Sequence, residues 1–265
     1  VRKLSTLTDG ALKGGSVHVS SMNTFPTAAG LASSAAGYAA LVSALVQVFE
    51  AKETFPGEFS TIARQGSGSA SRSLYGGLAK WCMGGAKPDA SDSLALQCHD
   101  ENYWPEIKAV ICVVSDEKKE TSSTGGMKTS VETSELLKHR TSSGIVEKRC
   151  DDIIAAFAAR DFDTFGRLTM QESNQFHAVC QDTYPPIYYM NDTSKSIVDL
   201  IHKYNRVKGR VFAAYTYDAG PNAVIYCESD SVRDEVAALV TRYYSAEIED
   251  EGDGTSDRVG GLVLS

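Results

Sequence analysis

Two short apolar runs on either side of Asp218-Ala219-Gly220-Pro221-Asn222 constrain this chain more than any other feature. Val211 to Tyr217 and Ala223 to Cys227 are rich in residues that suit a pleated, buried surface. The Gly, Pro and Asn between them supply the backbone angles of a tight reversal. The pair predicts an antiparallel hairpin and leaves a carboxylate, Asp218, at the end of an apolar strand. A third run, Ile107 to Ser115 (IKAVICVVS), is nearly continuous in β-branched residues and predicts a buried strand.

Most of the remaining chain reads as helix. Leu41, Ala44, Leu45 and Val48 recur at helical spacing after a loop marked by Pro26 and Gly30, so a helix is expected to run to about Glu50. Phe59 to Gln65, Thr133 to Arg140, Gly144 to Ala159, Phe162 to Cys180 and Asn191 to Tyr204 follow as helices. In the last of these, Ile197, Val198, Ile201 and Tyr204 share a face. Ser231 to Tyr244 is expected as a helix capped by Ser231, with Asp234 three residues on. Val17 to Ser21 alternates and reads as a short strand. Glu120 to Met127 reads as a polar, glycine-containing loop, and Glu247 to Asp257 as an acidic mobile one. Leu74, Tyr75 and Trp81 read as core. The order implies an α+β fold with helices packed on mainly antiparallel sheets. A boundary near Trp104 would divide the chain into 1–104 and 105–265.

Charge and cysteine usage exclude several functions. The 265 residues carry a net charge of −8. Such a chain repels nucleic acid and anionic membrane, so an anionic ligand must be held by a local cluster of donors. The six cysteines show no CxxC spacing and the five histidines no HExxH, so neither a disulfide framework nor a zinc site is expected. Reduced thiols suit a cytoplasmic or other reducing compartment. No run is long enough to span a bilayer, and Val1 to Gly15 lacks the layout of a signal peptide. The absence of an initiator Met suits a processed product or a fragment.

Three segments carry candidate chemistry. In Pro26 to Gly37, small side chains let backbone N–H groups approach an anion, a helix N-terminus follows, and Ser33 and Ser34 add hydroxyls. A helix face of Ala and Gly made for close packing is the competing reading, and GxxxxGK[ST] is absent. In Ser67-Gly68-Ser69-Ala70-Ser71-Arg72, hydroxyls and a backbone nest surround an arginine able to grip phosphate or carboxylate. A Ser/Gly linker is the alternative, disfavoured by the apolar residues that follow. Asp218 can be presented toward a cleft as a general base or charge partner, although Asp also caps turns for purely local reasons. Lys118 and Lys119, with Thr121 to Thr124, offer a phosphate-contacting loop, although composition favours a solvated, hydroxyl-rich one. Asn174 and His177 read as the polar face of a helix.

Five stretches together, FPTAAGLASSAAGYAAL, RQGSGSASRSLYGG, VVSDEKKETSSTGGM, SNQFHAVCQDTYPPI and YTYDAGPNAV, closely resemble the diphosphomevalonate decarboxylases of the eukaryotic kind. That family belongs to the galactokinase, homoserine kinase, mevalonate kinase and phosphomevalonate kinase superfamily. The resemblance runs from about Ser16 to Tyr244 and implies a two-lobed fold. It implies an ATP-phosphate loop at Ala28, Ala29, Gly30, Leu31, Ala32, Ser33 and Ser34, with Ser34 near the phosphoryl groups and Mg²⁺. It implies a loop for mevalonate 5-diphosphate at Ser67 to Arg72, with Arg72 aimed at the substrate carboxylate. Thr124 is implied as a further contact and Asp218 as the catalytic aspartate beside the C3 hydroxyl.

The implied reaction is ATP-dependent decarboxylation to isopentenyl diphosphate, with ADP, phosphate and CO₂ as the other products, by a homodimer. The family's N-terminal strand-and-loop segment, with its Asn and Tyr-Trp-Gly-Lys stretch, has no counterpart here. The N-terminal lobe is therefore expected to be incomplete and the 265 residues inactive or poorly folded alone. The alternatives are a kinase of the same superfamily, such as phosphomevalonate kinase, and a binding module without turnover.

Overall fold

The computed structural model describes residues 4, 7, 17–25, 27, 30–117, 119–244, 247–249 and 260–263. They form two compact units. One comprises the described residues of Val1–Thr27 and Ala32–Tyr103, the other those of Ala28–Leu31 and Trp104–Ser265.

The first unit is organised by α1 (Ser33–Phe49). Its buried residues Ala35, Ala39, Val42, Leu45 and Phe49 fall three or four apart, and Glu50 ends the helix in the left-handed region. They pack with Leu4, with Ala63 of α2 (Glu58–Ala63) and with Ala70. Ala70 lies in a 3-10 helix, Gly68–Leu74. A two-stranded antiparallel sheet follows, β1 (Leu78–Trp81) and β2 (Ala95–His99), with Trp81 opposite Ala95. Trp81 is 39% exposed rather than core: its indole N–H donates to Ser93 Oγ at 3.1 Å and its ring lies against Gly68.

The second unit is a five-stranded sheet with helices packed against it. β3 (Lys108–Val113), β4 (Ala213–Tyr217), β5 (Ala223–Cys227), β6 (Glu247–Glu249) and β7 (Gly260–Val263) lie in the order β4-β5-β3-β7-β6. All neighbours are antiparallel except β3 and β7. The 213–227 hairpin forms with Tyr217 opposite Ala223. The helices are α3 (Ser123–Thr133), α4 (Glu135–Ser142), α5 (Ile145–Ala158), α6 (Phe162–Asp182), α7 (Asp192–Lys208) and α8 (Asp230–Tyr244).

Ile197, Ile201 and Tyr204 of α7 and Val232, Val236 and Val240 of α8 enclose Tyr215, Tyr217 and Ile225 in the main core. Each such side chain contributes about 1.5–3 kcal/mol on full burial. Trp104, Phe157, Phe162 and Phe165 form an edge-to-face aromatic cluster that reaches Tyr226. Asn191 and Ser194 close a capping box at the start of α7, and Gly209, at φ 87°, ends it.

Four local expectations need correction. Val17 to Ser21 is not a strand: it has no regular structure, and Val17 and Val19 are 36% and 56% exposed. An alternating pattern becomes a strand only when a neighbour receives its N–H and C=O groups, and among the described residues none pairs with it. The 120–127 stretch turns helical at Ser123, because Ser122 accepts the Gly125 N–H at 3.1 Å and caps α3. Gly126 is required there, since a Cβ would stand 2.5 Å from the Tyr189 hydroxyl. Helix α8 begins at Asp230, with Ser229 rather than Ser231 accepting an N–H, from Val232 at 3.4 Å. Glu247–Glu249 is strand, and the rest of the expected acidic loop lies outside the described residues.

Candidate functional site

In the first unit, α1 starts without a side-chain cap, from Ala32 at φ 55°. Ser34 is exposed, and its hydroxyl stands 3.2 Å from that of Ser67. The loop implied for phosphate thus meets the loop implied for substrate at these two hydroxyls. Ser67 to Arg72 is no flexible linker. It enters the 3-10 helix, where Ala70 and Ser71 are fully buried and Ser71 Oγ donates to the Gly68 carbonyl at 2.7 Å. Gly68 is constrained by contact: a Cβ would lie 2.7 Å from the Trp81 ring. Ser67, Gly68 and Ser69 are half-buried, and Arg72 is exposed on the last turn.

In the second unit, Asp218 is exposed directly after β4 while its neighbours Tyr217, Ala219, Gly220 and Asn222 are buried. Asn222 pins the turn to the end of β3. Its Oδ1 accepts the N–H groups of Val114 and Ser115 at 2.7 and 3.0 Å, and its Nδ2 donates to the Ser115 carbonyl at 2.9 Å. Gly30, at φ 82°, lies against this turn. A Cβ on Gly30 would stand 2.6 Å from Gly220 Cα, so only glycine permits the approach. Leu31 belongs to the same unit. Ala28 and Ala29 lie outside the described residues.

Lys119 joins the Asp218 turn to the start of α3. Its ammonium donates to the Ala219 carbonyl at 2.8 Å and to Ser123 Oγ at 2.7 Å, and lies 5.6 Å from the centre of the Tyr189 ring. Thr124 is exposed in the first turn of that helix. Burial pulls the Lys119 pKa down, and the Asp218 carboxylate opposes that pull. Lys119 is therefore a tethered cation beside Asp218, not part of a solvated loop; Lys118 lies outside the described residues.

Burial pushes the Cys180 thiol up to about 11 and the Tyr189 hydroxyl up to about 12, each with a contribution from Asp218. His177 is 6% exposed, and burial lowers it to about 4. It faces inward and is not on a polar helix face. Asn174, exposed, accepts the Tyr215 hydroxyl at 2.9 Å.

Sequence reasoning considered Lys119 and His177 but favoured a solvated loop for the one and a polar helix face for the other. For Lys119 the signal was its place four residues before Ser123, on the approach to a capped helix. For His177 it was the four-residue spacing from Ser173 on a helix whose other buried residues share that face.

The family described as Diphosphomevalonate decarboxylase-like N-terminal domain matches residues 1–95, and that described as Mevalonate 5-diphosphate decarboxylase C-terminal domain matches 109–258. The diphosphomevalonate decarboxylase of Ganoderma lucidum is 56% identical over 233 residues, 86% of this chain and 57% of that protein. A crystal structure of mevalonate 5-diphosphate decarboxylase superposes with a TM-score of 0.80 at 46% identity, over 89% of this chain and 59% of that one. The structure of MDDEF in complex with MVAPP, AMPPCP and magnesium gives 0.71 at 28% identity, over 91% and 70%. The chain spans 57% of the length of curated relatives such as the Ganoderma lucidum protein. The α+β architecture, with its mainly antiparallel sheets, is that of these solved enzymes. By sequence over both of its units and by fold, the chain belongs to the diphosphomevalonate decarboxylase family.

Proposed function

We propose that this chain carries most of the active site of an ATP-dependent decarboxylase acting on mevalonate 5-diphosphate. One observation carries the reading. The exposed Asp218 carboxylate sits on a turn fixed by buried neighbours, with the Lys119 ammonium tethered to the next residue and Gly30 of the phosphate loop against Gly220. A base, a cation and a close-approach glycine loop are what transfer of a phosphoryl group to a hydroxyl requires. The complex of the related MDDEF with MVAPP, AMPPCP and magnesium supports the same ligand classes.

In this reading Asp218 takes the proton of the C3 hydroxyl as that oxygen attacks the γ-phosphorus of ATP, and ADP leaves. The C3–O bond then breaks, releasing inorganic phosphate and leaving positive character at C3. The bond from C2 to the carboxylate breaks next, CO₂ departs, and its electron pair becomes the double bond of isopentenyl diphosphate. Asp218 stabilises the developing charge at C3. Arg72 holds the carboxylate until it leaves, Ser67 to Ser71 and Thr124 contact the substrate, and Ala28 to Ser34 cradle the ATP phosphates.

The Ser34 hydroxyl is the oxygen donor a magnesium ion takes alongside phosphate and water. Among the described residues no three His, Cys, Asp or Glu gather as metal ligands, which suits a cation carried in by the nucleotide. When bound, Mg²⁺ neutralises charge on the phosphates. Assembly as a homodimer in a reducing, cytoplasmic compartment fits the six unbridged cysteines as to redox state, and sedimentation tests the dimer.

The test is phosphate release by the complete gene product. A decarboxylase liberates one inorganic phosphate for each ADP from ATP and mevalonate 5-diphosphate. A kinase of the superfamily forms ADP with no free phosphate, and that result would overturn the reading.

A further inference from the structure

Among the described residues β4 is an outer strand of its sheet, so alternate residues turn their N–H and C=O groups away from β5 with no described strand to receive them. Helix side chains receive them instead. At Ala213 one residue does both: Asn205 Oδ1 accepts the Ala213 N–H at 3.1 Å, and Asn205 Nδ2 donates to the Ala213 carbonyl at 2.7 Å. At Tyr217, immediately before Asp218, two residues of α6 divide the same task. Ser173 Oγ accepts the Tyr217 N–H at 3.0 Å. The Tyr217 carbonyl points the same way as its N–H, and it acts on the nearby His177 ring as a hydrogen-bond acceptor, opposing the fall that burial imposes on the ring's pKa. Ser173 and His177 are one helical turn apart, so a single face of α6 presents both.

His177 is held for this role. It is 6% exposed, with its ring edge-on to Tyr217 at 6.1 Å and to Phe176 at 4.9 Å. Its buried Nε2 has no hydrogen-bond partner among the described residues, which leaves Nδ1 as the nitrogen to serve the carbonyl. A ring that stays neutral keeps one proton, and a grip on the carbonyl requires it on Nδ1.

We propose that Ser173 and His177 are positioning residues whose paired grip on the Tyr217 backbone sets the direction in which the Asp218 carboxylate leaves the strand. The inference rests on Asp218 acting in catalysis, as proposed above. Without the grip the end of an outer strand splays and Asp218 samples unproductive directions. Turnover then suffers, while ligand affinity, set by other groups, changes little.

Asparagine and glutamine separate the two ring nitrogens, because the Asn amide nitrogen occupies the place of Nδ1 and the Gln amide nitrogen that of Nε2. In the complete gene product, His177→Asn is expected to keep kcat within about threefold. His177→Gln and His177→Leu are expected to lower it by about 10- to 100-fold with KM little changed. Ser173→Ala, a smaller change to the fold, is expected to show the same kcat-selective loss, with thermal melts verifying that each variant is folded. Rescue by Gln and not by Asn would overturn the clamp in favour of a role for Nε2. Equal loss in all three His177 variants, or full turnover in folded Ser173→Ala, would also overturn it. Asp218→Asn separates premise from inference: full turnover there removes the catalytic reading itself, whereas an inactive Asp218→Asn beside fully active His177→Gln and Ser173→Ala removes only the clamp.

Discussion

The Asp218 turn and the Gly68–Leu74 3-10 helix each expose one charged side chain, and they are held in opposite ways. The turn is tied over long sequence distances: Asn222 to the end of β3, Tyr217 to Ser173, Ala219 to Lys119. The 3-10 helix is tied mainly through its own backbone, with Ser71 returning to Gly68 and Ala70 to Ser67. Long-range ties fix a direction in space and suit a group whose angle to a reacting bond matters. Local ties hold a short segment in shape, which suits the proposed task of Arg72, where the side chain's own planar guanidinium supplies the fit to a carboxylate. On this account the turn carries the chemistry and the 3-10 helix the grip on substrate.

The comparison breaks first at Asp218. Asp218→Asn is expected to lower kcat by about 10³-fold with substrate Kd within a few-fold, as for loss of a charge acting mainly in the transition state. Steady-state kinetics beside equilibrium binding read both quantities. Asn222→Ala comes next. It strips partners from two part-buried N–H groups and one carbonyl and is expected to cost about 3 kcal/mol in urea unfolding.

Acid should weaken the turn's surroundings specifically. The folded pKa of His177 lies at about 4, below its ordinary 6.5. Between those values the unfolded chain takes up a proton that the folded chain refuses, so stability is lost as pH falls through that window. By pH 5 the loss amounts to about 2 kcal/mol, and unfolding curves from pH 7.5 to 5 should show a flatter dependence in His177→Asn. The smallest effect falls on the other region: Arg72→Lys is expected to lower kcat/KM about tenfold, with the melting temperature unchanged because the side chain is exposed.

The same contrast explains what the sequence made legible. The 213–227 hairpin, the long helices and the candidate residues Ser34, Arg72 and Asp218 carry signals within a few residues of one another, such as turn chemistry and helical spacing. His177 read as surface because its partner is the outward backbone of a strand 40 residues on, visible only once β4 is known to lie at an edge. Gly126 read as loop because the Tyr189 hydroxyl that a Cβ there would meet comes from another segment. The β1–β2 pair escaped notice because a long excursion, not a tight turn, joins Trp81 to Ala95. Val17 to Ser21 failed in the other direction: an alternating pattern was present without a partner strand among the described residues.

The most direct measurement of the central claim is the ratio of CO₂ to ADP formed by the complete gene product from carboxyl-labelled mevalonate 5-diphosphate and ATP. The account predicts one labelled CO₂ for each ADP, with both lost together in Asp218→Asn. ADP formed without labelled CO₂, or undiminished CO₂ from Asp218→Asn, would contradict it.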